Sequence, residues 1–333
     1  MTKSSPPVLS IIIPCFNAGE FILPCLQSLF TQLEPDIEVI IIDDGSEDNS
    51  AGIIGTFLQT QQHEAVLFLQ QKNCGIADTR NIGLQHARGT FVTFIDADDM
   101  ISRHYIAVIR PLLLTDNDDL IDFNYARFER QPPEEMETLD VKRIAYDFQS
   151  SGVNCLEPLF KKSMWHLWNR VYRRALLSDE RFASGRRYED VIFTPFIYFK
   201  TDNIAHLDNT LYFYRDNKSG ITRNVRKSDI ADLTFAMQKM LIWAEKKDKA
   251  HQRLASFMVL DCFNEIKTMS KIVYGYYYYE HSTLALFRSA AVICQGNCRT
   301  KKYLQLRFPQ VDTFFSYLNG LFRKRRSETH QRA

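Results

Sequence analysis

The sequence predicts an α/β protein: a Rossmann-like, mainly parallel sheet covered by helices, followed by a helical C-terminal region. Three observations carry this. Through about residue 125, short apolar and β-branched runs alternate with stretches of helical period. Those runs are apolar throughout rather than at every second position, as strands buried on both faces must be. Beyond about residue 225 the sheet pattern stops and helical periodicity alone continues.

In chain order, residues 8–14, 37–42, 65–69 and 91–95 read as strands. Residues 21–33, 49–62, 76–88 and 102–114 read as the intervening helices. A β-α-β-α order of this kind implies parallel strands, with ligands collecting at their carboxyl ends. Residues 131–150 read as a surface loop or short strands, and residues 229–247, 252–273 and 283–294 as C-terminal helices.

Composition narrows the function. A chain of 333 residues with 45% hydrophobic and 24% charged content is globular, and a net charge of +1 gives no general reason to expect nucleic acid. Seven cysteines, none in CxxC spacing, suit a reducing cytoplasm better than a disulfide framework or a zinc site. Residues 1–7 are short and polar, unlike an export signal, and no apolar run approaches the roughly 20 residues of a membrane span. The expected location is cytoplasmic, with membrane contact at most peripheral on the inner face.

The segments after the four strands are polar or acidic: Pro14-Cys15-Phe16-Asn17, Asp43-Asp44-Gly45-Ser46, Gln71-Lys72-Asn73-Cys74-Gly75 and Asp96-Ala97-Asp98-Asp99. No GxGxxG or GxxxxGK[ST] is present, which argues against a dinucleotide fold and a P-loop. Asp96 and Asp98, two apart on an extended segment, would point the same way, and oxygen ligands suit Mg²⁺ or Mn²⁺. The same carboxylates would also fit an acidic turn that caps the next helix.

Ser10-Ile11-Ile12-Ile13-Pro14-Cys15-Phe16-Asn17, Ile41-Ile42-Asp43-Asp44-Gly45-Ser46, Arg80-Asn81-Ile82-Gly83-Leu84 and Phe94-Ile95-Asp96-Ala97-Asp98-Asp99 resemble, in order and spacing, the family 2 inverting glycosyltransferases. The likeness continues more weakly through Trp168 to Arg173, Tyr188 to Phe193 and Tyr212 to Arg215. It implies a GT-A fold over 1–225, with nucleotide-sugar binding in 8–115 and acceptor binding in 116–225. Residues 226–333 would form a helical extension with a basic tail.

Carried over by position, the resemblance sets Pro14, Phe16 and Asn17 against the nucleoside and Asp44 against the base. Asn73, Arg80, Asp96 and Ala97 would serve the donor, with Asp98 and Asp96 on Mn²⁺ or Mg²⁺. Asp43 would cap the next helix with Ser46 or join the site, and Asp99 would touch the metal or cap the helix near Ser102. Asp190 is implied as general base, with Glu189 its rival. The implied partners are a nucleotide-sugar donor, expected to be a UDP-sugar, and a glycan or lipid-linked acceptor. The implied setting is bacterial surface polysaccharide or lipopolysaccharide synthesis. A binding scaffold without turnover, or a nucleotidyltransferase, are the competing classes; the second would need a glycine- and lysine-rich triphosphate loop near the first strand.

Trp165 reads as core and Trp168 as cleft, while Lys161, Lys162, Arg170, Arg173 and Arg174 form a basic region suited to a diphosphate or a phosphorylated acceptor. The four tyrosines 276–279 have no assigned role. Residues 314–322, followed by Arg323-Lys324-Arg325-Arg326, read as an amphipathic anchor for an anionic membrane, a solvated end or a homo-oligomer contact.

Overall fold

The computed structural model describes residues 6–137, 140–217 and 224–318. The basic run 323–326 lies outside them. The chain divides into two compact units, residues 1–146 with 165–220, and residues 147–164 with 221–333.

The first unit opens with β1 (Leu9–Cys15), α1 (Ile22–Phe30), β2 (Ile37–Asp43), α2 (Ser50–Gln59), β3 (Val66–Gln70), α3 (Ile76–His86) and β4 (Phe91–Phe94). Strands and helices therefore fall where periodicity puts them. β1, β2 and β4 are buried at every residue, the pattern of strands covered on both faces. In α1 the buried residues Ile22, Cys25, Leu26 and Leu29 recur at helical spacing and form the inward stripe. Gly83 lets α3 lie directly on β1, since a Cβ there would come within 2.4 Å of Ile12 Cγ2.

The chain continues through β5 (Met100–Ile101), α4 (Tyr105–Thr115), β6 (Leu120–Phe128) and β7 (Arg143–Ala145). α5 (Phe148–Ser151) and α6 (Glu157–Lys162), which belong to the second unit, come next. β8 (Arg170–Arg173), α7 (Glu189–Ile197) and β9 (Ile204–Arg215) complete the first unit. The sheet order is β3-β2-β1-β4-β8-β6-β9-β5, with β7 on β9. β3, β2, β1 and β4 are mutually parallel, as are β6 and β9, whereas β8 runs antiparallel to β4 and β6. The sheet is thus mixed beyond β4.

Strand order reverses at β1, so a crevice opens between the carboxyl ends of β1 and β4. One residue explains where it opens. The Ile95 N–H donates to the Ile12 carbonyl at 3.0 Å, so even-numbered residues of β1 face β4. Pro14 has no N–H for the next rung, and the β1/β4 pairing ends at Ile12 and Phe94.

The second unit contains α5, α6, α8 (Lys227–Ala244), α9 (Lys249–Tyr274), α10 (His281–Cys294) and α11 (Thr300–Arg307), with helical backbone again over 309–318. Residues 147–164 group with this unit and not with the segments that flank them in sequence. Leu159 and Phe160 of α6 are buried, α6 packs on α9, and Arg253 of α9 pairs with Glu157 at 3.1 Å. Among the described residues, no helix is long and apolar enough to cross a membrane.

Candidate active site

Each loop at the carboxyl edge is tied to its neighbour by side chains placed for that purpose. Asn17 adopts a left-handed backbone (φ 50°), which asparagine tolerates better than most residues. Its N–H donates to Ser46 Oγ (2.9 Å) and its Oδ1 accepts from the Glu47 N–H (2.8 Å). Phe16, beside it, is 47% exposed and forms an open aromatic lip.

Asp44 is buried and accepts from Gln71 Nε2 (2.8 Å) and from the N–H groups of Cys74 and Gly75 (both 2.9 Å). Both of its oxygens hold the loop that opens α3, a structural duty in addition to the base-binding role the resemblance implies. Asp43 Oδ2 accepts from the Ser46 N–H at 3.4 Å, a bond within the loop and not a helix cap, because α2 begins only at Ser50. Gly45 (φ 72°) is required where it stands, because a Cβ would meet the Asn73 nitrogen at 2.8 Å. Asn73 itself is exposed on the loop.

The acidic motif is a turn, not the extended segment the spacing suggested. β4 stops at Phe94, and the Asp99 N–H donates to the Asp96 carbonyl at 3.1 Å. Ala97 is buried beneath that turn. Asp99 neither caps α4 nor faces outward. It is 1% exposed and accepts from Tyr212 Oη and the Arg215 N–H, both at 2.7 Å, while Ser102 Oγ accepts from the His104 N–H at the start of α4. Asp98 Oδ2 accepts from Asn217 Nδ2 at 3.3 Å, and its carbonyl accepts from Arg215 Nε at 2.8 Å. Burial and the nearby Asp96 raise the Asp98 pKa; burial and Asp98 raise that of Asp99.

Such a carboxylate cluster holds more negative charge than its surroundings favour. Among the described residues no group of three or more His, Cys, Asp or Glu is arranged to bind a metal. Asp98 and Asp96 would offer a hard divalent cation one or two carboxylates.

Arg80 joins this loop to the other acidic pair. Its guanidinium, 4% exposed, donates to Asp96 Oδ1 at 2.7 Å and to Glu189 Oε1. Glu189 and Asp190 begin α7, where the macrodipole favours negative charge. Tyr188, just before them, has φ 59°, an uncommon conformation for a bulky residue that costs about 1–3 kcal/mol and fixes where the pair emerges. Removing the guanidinium by Arg80→Met would leave two carboxylates without their shared counter-ion. The expected loss is about 3 kcal/mol of unfolding free energy, read from urea denaturation.

Asp190 Oδ1 accepts from the Val191 N–H at 2.8 Å, and Oδ2 lies 3.9 Å from His166 Nδ1. Burial, then the charge of Glu189, raise the Asp190 pKa to about 7. His166 is lowered to about 4 by burial, with Arg170 and Arg127 adding to it, so it is neutral beside Asp190 at pH 7. Its ring stacks on Trp168 at 4.6 Å, and Trp168 stacks on Tyr212 at 4.4 Å.

These contacts revise several sequence readings. His166, given no role by the sequence, adjoins Asp190. Trp168, assigned to the cleft, is 4% exposed inside an aromatic stack. Four residues of the basic region are engaged within the protein: Arg170 is buried on Tyr198 and Asn169, Arg173 pairs with Asp116 and Asp119, Arg174 bonds the Gly89 carbonyl, and Lys161 pairs with Glu157. Tyr212, Arg215 and Asn217, which hold the acidic turn, had no role assigned. The signal available was the Tyr212-Phe213-Tyr214-Arg215 match itself.

A nucleotide-type α/β sheet with an acidic turn at its switch point, linked through an arginine to a second acidic pair, has the architecture of a GT-A fold. The profile of glycosyl transferase family 2 matches residues 10–179. A glycosyltransferase of Haemophilus influenzae is 36% identical over 224 residues, 67% of this chain and 85% of that one. The chain belongs to glycosyl transferase family 2. Staphylococcus aureus TarS 1-349, in complex with UDP-GlcNAc, shares the fold with a TM-score of 0.72 at 18% identity, over 96% of this chain and 92% of that one. The mannosyltransferase PcManGT of Pyrobaculum calidifontis, in complex with GDP-Man and Mn²⁺, has a TM-score of 0.52 at 15% identity, over 96% and 89% of the two chains. The chain spans 31% of the length of one curated relative and 65% of another.

Proposed function

We propose that this protein is an inverting glycosyltransferase that moves a sugar from a nucleotide diphosphate sugar, in first place a UDP-sugar, to a glycan or lipid-linked acceptor of a bacterial surface polysaccharide. The observation that carries the reading is the Arg80 bridge. One buried guanidinium holds Asp96 and Glu189 together, so the implied donor carboxylates and the implied base belong to one cluster.

The nucleoside would lie along the β1 edge against Pro14, Phe16 and Asn17, with Asp44 and Asn73 bordering the base, and Arg80, Asp96 and Ala97 bordering ribose and phosphates. Asp98, with Asp96, would hold Mn²⁺ or Mg²⁺, which when bound supplies positive charge at the diphosphate as it departs. Asp190 takes the proton of the acceptor hydroxyl as its oxygen attacks the anomeric carbon. The bond to the diphosphate breaks on the opposite side, so an α-linked donor gives a β-linked product. Glu189, engaged by Arg80, orients the pair. Exposed Phe314, Phe315 and Tyr317 would suit peripheral contact with the inner membrane, where a lipid-linked acceptor would reside.

A base with a raised pKa sets the sign of the pH dependence. Asp190 works only when ionised, so kcat/KM should climb about tenfold per pH unit below a pH of about 7 and level off above it. A profile flat through neutral pH would remove Asp190 from the role.

The reading is tested by a panel of nucleotide sugars, with Mn²⁺ or Mg²⁺ and with chelator, scored by thermal shift and by nucleoside diphosphate release. A metal-dependent response to one sugar nucleotide supports it. No response from folded protein to any donor would favour a scaffold.

A further inference from the structure

The four tyrosines 276–279 divide between two surface clefts of the helical unit. Tyr276, Tyr278 and Tyr279 line one, while Tyr277 lines the other, a cleft of ≈ 830 Å³ walled by α9 and α11. Into this second cleft come Lys267, Lys271, Lys301 and Lys302, and among the described residues lining it none is acidic.

Part of this placement runs against helix stability. Lys267 and Lys271 are four apart on α9, where like charges repel, although Lys271 lies in the last turn, the end at which the macrodipole favours a cation. Lys301 and Lys302 occupy the first turn of α11, the end at which the macrodipole disfavours cations. Lys267 is 7% exposed, is paired with Asp312, and has its ammonium 4.4 Å from the centre of the Tyr277 ring. Lys302 donates to Asn264 Oδ1, and its pKa is lowered by burial and by Lys267. Asp312 therefore offsets one charge of four. The cleft is built on two ordered lysines, with Lys271 and Lys301 exposed at its mouth. An arrangement that sets two lysines against the macrodipole of α11 and concentrates positive charge in a concavity is explained by an anion that enters it.

We propose that this lysine cleft is a phosphate-binding site, taking a discrete phosphate or diphosphate group of a ligand in solution. A concavity of this size favours such a group over a planar membrane surface, and Lys is suited to phosphate as a compact point charge. The proposal stands apart from the transferase reading, because it uses none of the residues of that site.

The test is titration of the full chain with inorganic pyrophosphate in the presence of chelator, which excludes metal-assisted capture at Asp96 and Asp98. Binding by calorimetry is expected to weaken about tenfold or more in the double variant Lys271→Glu, Lys301→Glu, and to fall as salt is raised. Both side chains are exposed, so the variant should keep the parent's circular dichroism and melting temperature. Asp98→Ala should bind pyrophosphate like the parent. Absent binding, or binding equal in the parent and the lysine variant, overturns the proposal. Loss in Asp98→Ala with retention in the lysine variant overturns it too, by assigning the anion to the other site. Retention of the parent by phosphatidylglycerol vesicles, without pyrophosphate binding, overturns it in favour of a membrane-facing surface.

Discussion

Asp190→Asn should lower kcat by about 10³-fold while leaving donor affinity within about twofold of the parent. Asparagine keeps the shape of the side chain at the head of α7 but has no lone pair basic enough to accept the acceptor's proton. The environment explains why the carboxylate is suited to the task. Burial and the adjacent Glu189 raise its pKa to about 7, and the neutral His166 nearby does not neutralise it. A base whose pKa sits near the working pH combines adequate ionisation with adequate basicity. Glu189 differs because Arg80 engages its carboxylate, so Glu189→Gln should be read chiefly in stability. The measurement is steady-state transfer with donor binding by calorimetry on the same samples. Donor binding that falls in step with transfer would show that Asp190 holds the donor and is not the base.

Asp98→Ala should have the reciprocal phenotype. Metal-dependent donor binding is expected to weaken by about 100-fold or more, since the remaining Asp96 already serves Arg80 and Asp99 is committed to Tyr212 and the Arg215 N–H. Stability without metal should move the other way. The raised pKa of Asp98 means that its charged form is disfavoured in the fold, by burial first and by Asp96 second. Removing it relieves like-charge crowding, so the melting temperature in chelator should hold or rise. A variant that melts much lower in chelator would make Asp98 a structural carboxylate. One that binds donor with metal as tightly as the parent would place the cation elsewhere.

Much of the catalytic domain was legible because its signals are local. The apolar run Ile11 to Ile13 reports a strand buried on both faces, and the i, i+3, i+4, i+7 stripe of α1 reports a helix lying on a sheet. The residues of the implied site sit where β-strands end, and Pro14 announces the end of one pairing by what it lacks. The strands after β4 were harder. β9 alternates buried and exposed residues only in part, and β8 has just four residues, too few for a period to stand out.

The partners of charged side chains were not legible. Arg80 is a donor-facing cation in the resemblance, and what the resemblance does not give is that it spans Asp96 and a glutamate 109 residues away. Asp99 resembles a helix cap by position, yet its partner is a tyrosine 113 residues further on, brought to it by a strand the sequence does not mark. The lysines of α9 and α11 are unremarkable in composition and become a single cleft only when the two helices meet. The alternation of strands and helices, and the edge of the sheet where chemistry collects, could be read from local residues alone, because backbone periodicity and turn residues act over a few neighbours. Which carboxylate is paired, which is crowded and which is left to titrate near neutrality emerges only in the folded chain, because those outcomes depend on burial and on charges brought from far along the sequence.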